Sequence, residues 1–194
     1  MCFWRNVCLH ISSRVGYLYC LFVLRVAKTL VWDKLMQWPA LFMDLSGNRD
    51  LLGRRLVAFF ASRNSPPEAL GLATRWAREI ATTDKIVISG FHSPIERTVL
   101  DILLKEGCSV VVTLGRALYR RIPAHLQVAY TKNRLLFISF RDNVRPSLSN
   151  SQLRNWATAD LAQEIIFAPF DPSSPLSTLH FTMARGAKSC HILG

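Results

Sequence analysis

From residue 55 onward, short apolar runs alternate with segments whose apolar side chains recur every three or four positions. Leu56 to Ala61 is such a run with no polar face, as expected of a strand buried on both sides of a parallel sheet. Pro66 and Pro67 then open a helix whose buried stripe reads Leu70, Ala73, Trp76, Ala77 and Ile80. Ile86 to Ser89 is the second strand. Ser93, Pro94 and Glu96 stand at the N-cap, first and third positions of the next helix, the spacing of a capping box. Its apolar face is Ile95, Val99, Ile102 and Leu103, and Gly107 ends it. Strands over 108–114, 135–140, 164–168 and 188–193 follow, separated by helices over 123–130, 151–162 and 176–185. Strand and helix in strict alternation predict βαβ units, hence an α/β fold with a mainly parallel sheet and helices on both faces.

Residues 1–37 do not share this rhythm. Val15 to Leu24 is uncharged, but Arg14, Arg25 and Lys28 leave no window of the about 20 apolar residues that a spanning helix needs. Arg25-Val26-Ala27-Lys28 is a poor cleavage site for a signal peptide. The chain therefore divides into an extension over 1–37, an amphipathic helix or a remnant, and one domain over 38–194; association with a membrane is not expected.

Charge changes the picture. Against 13 acids stand 24 Lys and Arg residues, a net charge of +11. From Arg116 to Arg154 there are eight basic residues and one acid, Asp142, so this stretch carries +7 of it. In open parallel sheets, ligands bind beyond the carboxyl ends of the strands, where helix N-termini also favour anions. The loops predicted there hold Arg63, Arg116, Arg120, Arg121, Arg141 and Arg145. Guanidinium groups suit phosphate, so the expected ligand is a polyanion. Gly90 and Gly115 each follow a strand directly, where a phosphate can approach the backbone. Lys85, Lys105, Lys132 and Lys188 fall near the opposite strand ends. Tyr119, Tyr130, Phe140 and Trp156 lie near the basic stretch, as stacking surfaces for bases or as core and rim residues.

Other chemistry lacks its signature. Neither Gly90 nor Gly115 belongs to a GxGxxG or GxxxxGK[ST] pattern, so no nucleotide cofactor is expected. The five histidines form no HxxxH pair, and Cys2, Cys8, Cys20, Cys108 and Cys190 form no CxxC, so no metal is expected. Buried, reduced thiols fit Cys108 and Cys190, and the cytoplasm fits the chain. There is no GxSxG elbow, and the capping box accounts for Glu96. His92 is a candidate phosphate contact in a strand-end loop.

The ordered motifs resemble those of the DNA-processing protein A (DprA, or Smf) family. Gly47-Asn48-Arg49-Asp50-Leu51-Leu52, leading into Ala61-Ser62-Arg63, is similar to the family's "GN…LL" segment and its strand ending in Gly-Ser-Arg. Ser89 to Glu96 resembles S-G-x-A-x-G-I-D, and Val112 to Leu118 resembles V-L-G-x-G-L. Arg154-Asn155 matches the start of Arg-Asn-Arg, and Ser173 to Thr178 resembles S-G-S-L-x-T. Ala61, Glu96 and Ala117 depart from the family pattern, as does Trp156. The resemblance covers roughly 38–194. It implies a Rossmann-like fold and a non-enzymatic, cytoplasmic homodimer that binds single-stranded DNA and loads the RecA recombinase in natural transformation. Arg63 and Arg154 correspond to motif arginines. With Ser62, Ser89, Gly90 and His92, and with Gly115, Arg116, Arg120 and Arg121, they make up the expected phosphate site. Arg145, Asn155 and Ser173 complete it. The competing expectations are a nucleotide or nucleotide-derivative sensor on the same fold, and an enzyme acting on a nucleoside monophosphate. Against the enzyme, nothing here matches the P-G-G-x-G-T-x-x-E loop of the related phosphoribohydrolases.

Overall fold

A computed structural model describes residues 44–140, 148–186 and 188–194. The N-terminal extension and Arg141 and Arg145 lie outside the described residues. Seven strands form one sheet in the order β1-β5-β4-β3-β2-β6-β7. They are β1 (Asp44–Gly47), β2 (Leu56–Phe60), β3 (Ile86–Ser89), β4 (Val110–Leu114), β5 (Leu135–Ser139), β6 (Glu164–Phe167) and β7 (Ser189–Ile192). All neighbouring pairs are parallel except β1 with β5. The helices are α1 (Ala69–Ala81), α2 (Pro94–Lys105), α3 (Ala124–Thr131), α4 (Leu148–Leu161) and α5 (Leu176–Ala184). This is the expected α/β, Rossmann-like architecture. No helix among the described residues is long and apolar enough to cross a membrane.

The central strands follow from their composition. Every residue of β2, β3, β4 and β5 is buried, which only a sheet covered on both faces permits. Trp76 of α1 stacks on Phe59 of β2, ring centroids 4.7 Å apart. The capping box of α2 forms as predicted, and Gly107 takes a φ of +77° just past the helix end.

Some expectations are corrected. Leu70 is 47% exposed and Trp76 only partly buried, so the buried stripe of α1 is Ala69, Ala73, Ala77 and Ile80. The helix begins at Ala69, two residues after Pro67, and its stripe takes Ala69 in place of Leu70. Cys108 and Cys190 are half-buried free thiols. Cys108 ends a turn and donates to the Ala81 carbonyl, and Cys190 sits on an edge strand. Tyr130 and Phe140 do not offer stacking surfaces. Phe140 is buried, and Tyr130 packs on Phe137 with its hydroxyl 2.9 Å from Ser46 Oγ. Strand β1 was not anticipated. Its last residue, Gly47, has φ +109°, and a β-carbon there would stand 2.3 Å from the Leu135 carbonyl oxygen, so only glycine lets β1 lie against β5.

From β2 the chain winds through β3 and β4 to β5. It then crosses back through α4 to β6, on the other side of β2. The point where the winding reverses lies between β2 and β6. There the loops leave in opposite directions and open a crevice at the carboxyl edge.

Candidate functional site

The crevice holds a cleft of roughly 550 Å³. Its walls come from the loop after β2 (Ala61 to Asn64), the start of α2 (His92, Ser93, Glu96), one face of α4 (Ser151, Gln152, Arg154, Asn155) and the entry to α5 (Ser174, Pro175, Leu176).

Glu96 organises the first two walls. The carboxylate is buried and accepts three backbone N–H groups, from Ala61 at 3.1 Å, His92 at 2.7 Å and Ser93 at 3.1 Å. Ser93 Oγ in turn accepts from the Glu96 N–H at 3.1 Å. The capping residue of α2 thus also fixes the end of β2. Burial raises the pKa of Glu96, against the downward pull of Arg154 and of these N–H donors.

Helix α4 delivers Arg154. Thr158, one turn on, donates to the Arg154 carbonyl at 2.7 Å, and its hydroxyl meets that of Thr113 on β4 at 2.8 Å in the core. At the start of the helix, a β-carbon on Gly115 would lie 3.2 Å from the Asn150 carbonyl oxygen, so glycine there admits the helix backbone. The Arg154 side chain is 5% exposed. Its Nε and Nη2 donate to Asn155 Oδ1 at 3.2 and 2.8 Å. Its Nη1 is buried and has no hydrogen-bond partner among the described residues. Burial lowers its pKa, and the nearby Glu96 opposes that. A buried donor without an acceptor costs about 1–3 kcal/mol, more when charged, so an acceptor brought to Nη1 would be favourable.

The fourth wall, the entry to α5, is tied to the first. Ser174 Oγ lies 3.3 Å from Ser62 Oγ and accepts from the Leu176 N–H at 3.3 Å. Asp171 is not available to the cleft as a free acid, because it accepts from the N–H and hydroxyl of Ser173 at 2.7 and 2.6 Å. His92 is partly buried, and burial, with Arg154, Arg97 and Arg63 around it, pushes its pKa from 6.5 down to about 4.

The structure therefore brings together Ser62, Arg63, His92, Arg154 and Asn155. Gly90 lies behind Arg154, its α-carbon face covered by the guanidinium. Ser89 is buried, its hydroxyl accepting from the Phe91 N–H at 3.2 Å. Ser173 is exposed and turned to Asp171, while its neighbour Ser174 lines the cleft. Gly115, Arg116, Arg120 and Arg121 belong to the loop after β4, at the same sheet edge but outside the cleft walls. Arg120 and Arg121 are exposed; the Arg116 guanidinium packs 5.2 Å from the Tyr119 ring centre, with Nε buried and without a partner among the described residues. The sequence reading missed Asn64, Ser151, Gln152 and Ser174 as wall residues. The serine-rich sequence Ser147 to Ser151 was the available signal for one of them, Ser151. Among the described residues, no group of three or more His, Cys, Asp or Glu is placed to hold a metal ion.

Comparison with solved structures finds the same fold in DNA processing protein A of Helicobacter pylori. The TM-score is 0.60 and the identity 18%, over 76% of this chain and 74% of that one, and the structure was described for its single-stranded DNA binding mode. DprA of Streptococcus pneumoniae matches with a TM-score of 0.60 and 20% identity, over 73% of this chain and 51% of that one. This chain thus spans about half the length of the pneumococcal protein. At these identities the likeness is one of fold. No curated protein matches the sequence. The model of the DNA recombination-mediator protein A family matches residues 32–186, most of the chain, and the chain belongs to that family.

Proposed function

We propose that residues 38–194 bind single-stranded DNA at the carboxyl edge of the sheet and catalyse no reaction on it, with the extension over 1–37 dispensable for the fold. The observation that carries this reading is the buried Arg154, with an unfilled Nη1, beside Arg63 in the cleft at the winding reversal. The acid of that cleft, Glu96, is engaged by three N–H groups, which fits an anion site and leaves it poorly placed for proton transfer. Arg63 and Arg154 are the inner phosphate contacts. Arg116, Arg120 and Arg121 continue the strand's path outward, with Ser62, His92, Asn155 and Ser173 as polar contacts and the buried Ser89, Gly90 and Gly115 shaping the site from behind; Arg145, outside the described residues, is a further contact expected from the sequence. Family membership supports a role in DNA processing during transformation or recombination, with RecA as a partner and a homodimer as the working form.

Fluorescence anisotropy with single- and double-stranded oligonucleotides at two salt concentrations tests the reading. Contacts to phosphate carry no base information, so binding should be independent of sequence. Affinity should fall with salt at a log–log slope of about −0.7 per phosphate neutralised, or about −3 for four or five contacts. A second reading, a sensor of a nucleotide or its derivative, is favoured by the cleft volume of roughly 550 Å³, ample for one nucleotide. It would replace the first if nucleotides bind and oligonucleotides, even at low salt, do not.

A further inference from the structure

His92 reaches the cleft from a strained turn. Phe91 before it has φ +50° and is buried, a conformation that is costly for a bulky side chain and tends to occur at functional sites. The turn sends Phe91 into the core and leaves His92 on the cleft wall with Arg63 and Arg154. The backbone is held there by the His92 N–H donating to Glu96 at 2.7 Å. Among the described residues, the imidazole nitrogens of His92 make no hydrogen bond, so the turn's hold on His92 is through the backbone alone. The charges around the ring are Arg63 from the loop after β2, Arg154 from α4, and Arg97 and Glu96 from α2. Three cations thus oppose protonation, and the single carboxylate is occupied by backbone amides.

A phosphate entering the cleft reverses this balance. Its oxygens neutralise the arginines and offer an acceptor to an imidazolium N–H. We propose that His92 is a proton-linked contact, taking up a proton as a nucleic-acid phosphate enters between Arg63 and Arg154, so that binding tightens as the pH falls. In the S-G-x-A-x-G-I-D pattern quoted above, alanine stands at this place. The linkage is therefore a property of this chain's own pocket. It rests on reading the cleft as a phosphate site.

The test is the affinity of the whole chain for an oligo-dT single strand at constant ionic strength, between about pH 8 and about pH 5.5. If binding returns His92 from about 4 to its ordinary 6.5, affinity should rise about tenfold across that range. In the His92→Gln variant this rise should disappear. A direct reading comes from NMR titration of the His92 ring in the parent, free and DNA-bound, with the bound value expected at or above 6.5. Binding by the parent that is flat with pH, a rise retained in His92→Gln, or a ring that stays unprotonated in the complex near pH 5.5 would each overturn the proton linkage alone. Absence of oligo-dT binding at every pH would overturn the reading of the cleft, and the linkage with it.

Discussion

The guanidinium of Arg154 rests on the α-carbon of Gly90, so close that a β-carbon built there would stand 2.6 Å from Cζ and 2.9 Å from Nη1. Gly90 is at the end of β3, and Arg154 is two turns into a helix that begins after β5. The glycine is needed because the arginine occupies the space of its side chain, and φ there is not positive. Gly90→Ala should therefore leave the sheet intact and displace the end of a long side chain. The expected result is a small fall in melting temperature with a loss of single-stranded DNA affinity close to that of Arg154→Ala, roughly tenfold for one charge-assisted contact. Anisotropy and thermal melts on the two variants make the comparison; full affinity in Gly90→Ala would separate Arg154 from the ligand.

Arg63→Ala and Arg154→Ala should each weaken binding to all sequences alike and make the log–log salt slope shallower by about 0.7. Lys85→Ala is the matched control. Lys85 Nζ lies 2.7 Å from Glu164 Oε2 near the opposite sheet edge, so its loss should cost little stability and no affinity. Loss of binding in Lys85→Ala with retention in the two arginine variants would put the site at the wrong edge.

Local patterns were legible where the physics is local. The mainly apolar β2 to β5, the capping box at Ser93 and the stop at Gly107 are decided by neighbours in sequence, and the structure has them where expected. Strand β1 was not legible, because Asp44 to Gly47 has no apolar alternation and exists by pairing with β5, some ninety residues away. In the site, Arg63 follows from its place in a strand-end loop and from motif resemblance, and Arg154 from motif resemblance. What escaped was the contact of Arg154 with Gly90, and the separation of the Arg116, Arg120 and Arg121 loop from the cleft. Both depend on which strands neighbour which at the reversal, and charge counting along the chain is blind to strand order.

Glu96→Gln distinguishes the clamp from catalysis. The amide keeps the shape but presents an NH₂ group where one N–H donor (at Oε1) or two (at Oε2) converge. It should destabilise the domain by about 1–3 kcal/mol, read as a lower midpoint in urea. No release of free base from a nucleoside monophosphate is expected from either parent or variant. Base release by the parent, abolished in Glu96→Gln without loss of stability, would make Glu96 a catalytic group.

The depressed pKa of His92 also fixes how the free protein responds to acid. In the unfolded chain the imidazole titrates near 6.5, whereas in the fold burial and three arginines hold it to about 4. Above about pH 6.5 the ring is neutral in both states and stability owes nothing to its titration. As the pH falls toward 4 the unfolded state takes up a proton that the folded state refuses, so stability declines over this window and then levels off. His92→Gln removes the difference. Thermal melts at about pH 7 and about pH 5 should show the parent losing more melting temperature than the variant. Bound oligonucleotide should shrink that loss, since the complex accepts the proton. An equal loss in parent and variant would mean that His92 titrates in the free protein much as it does in the unfolded chain.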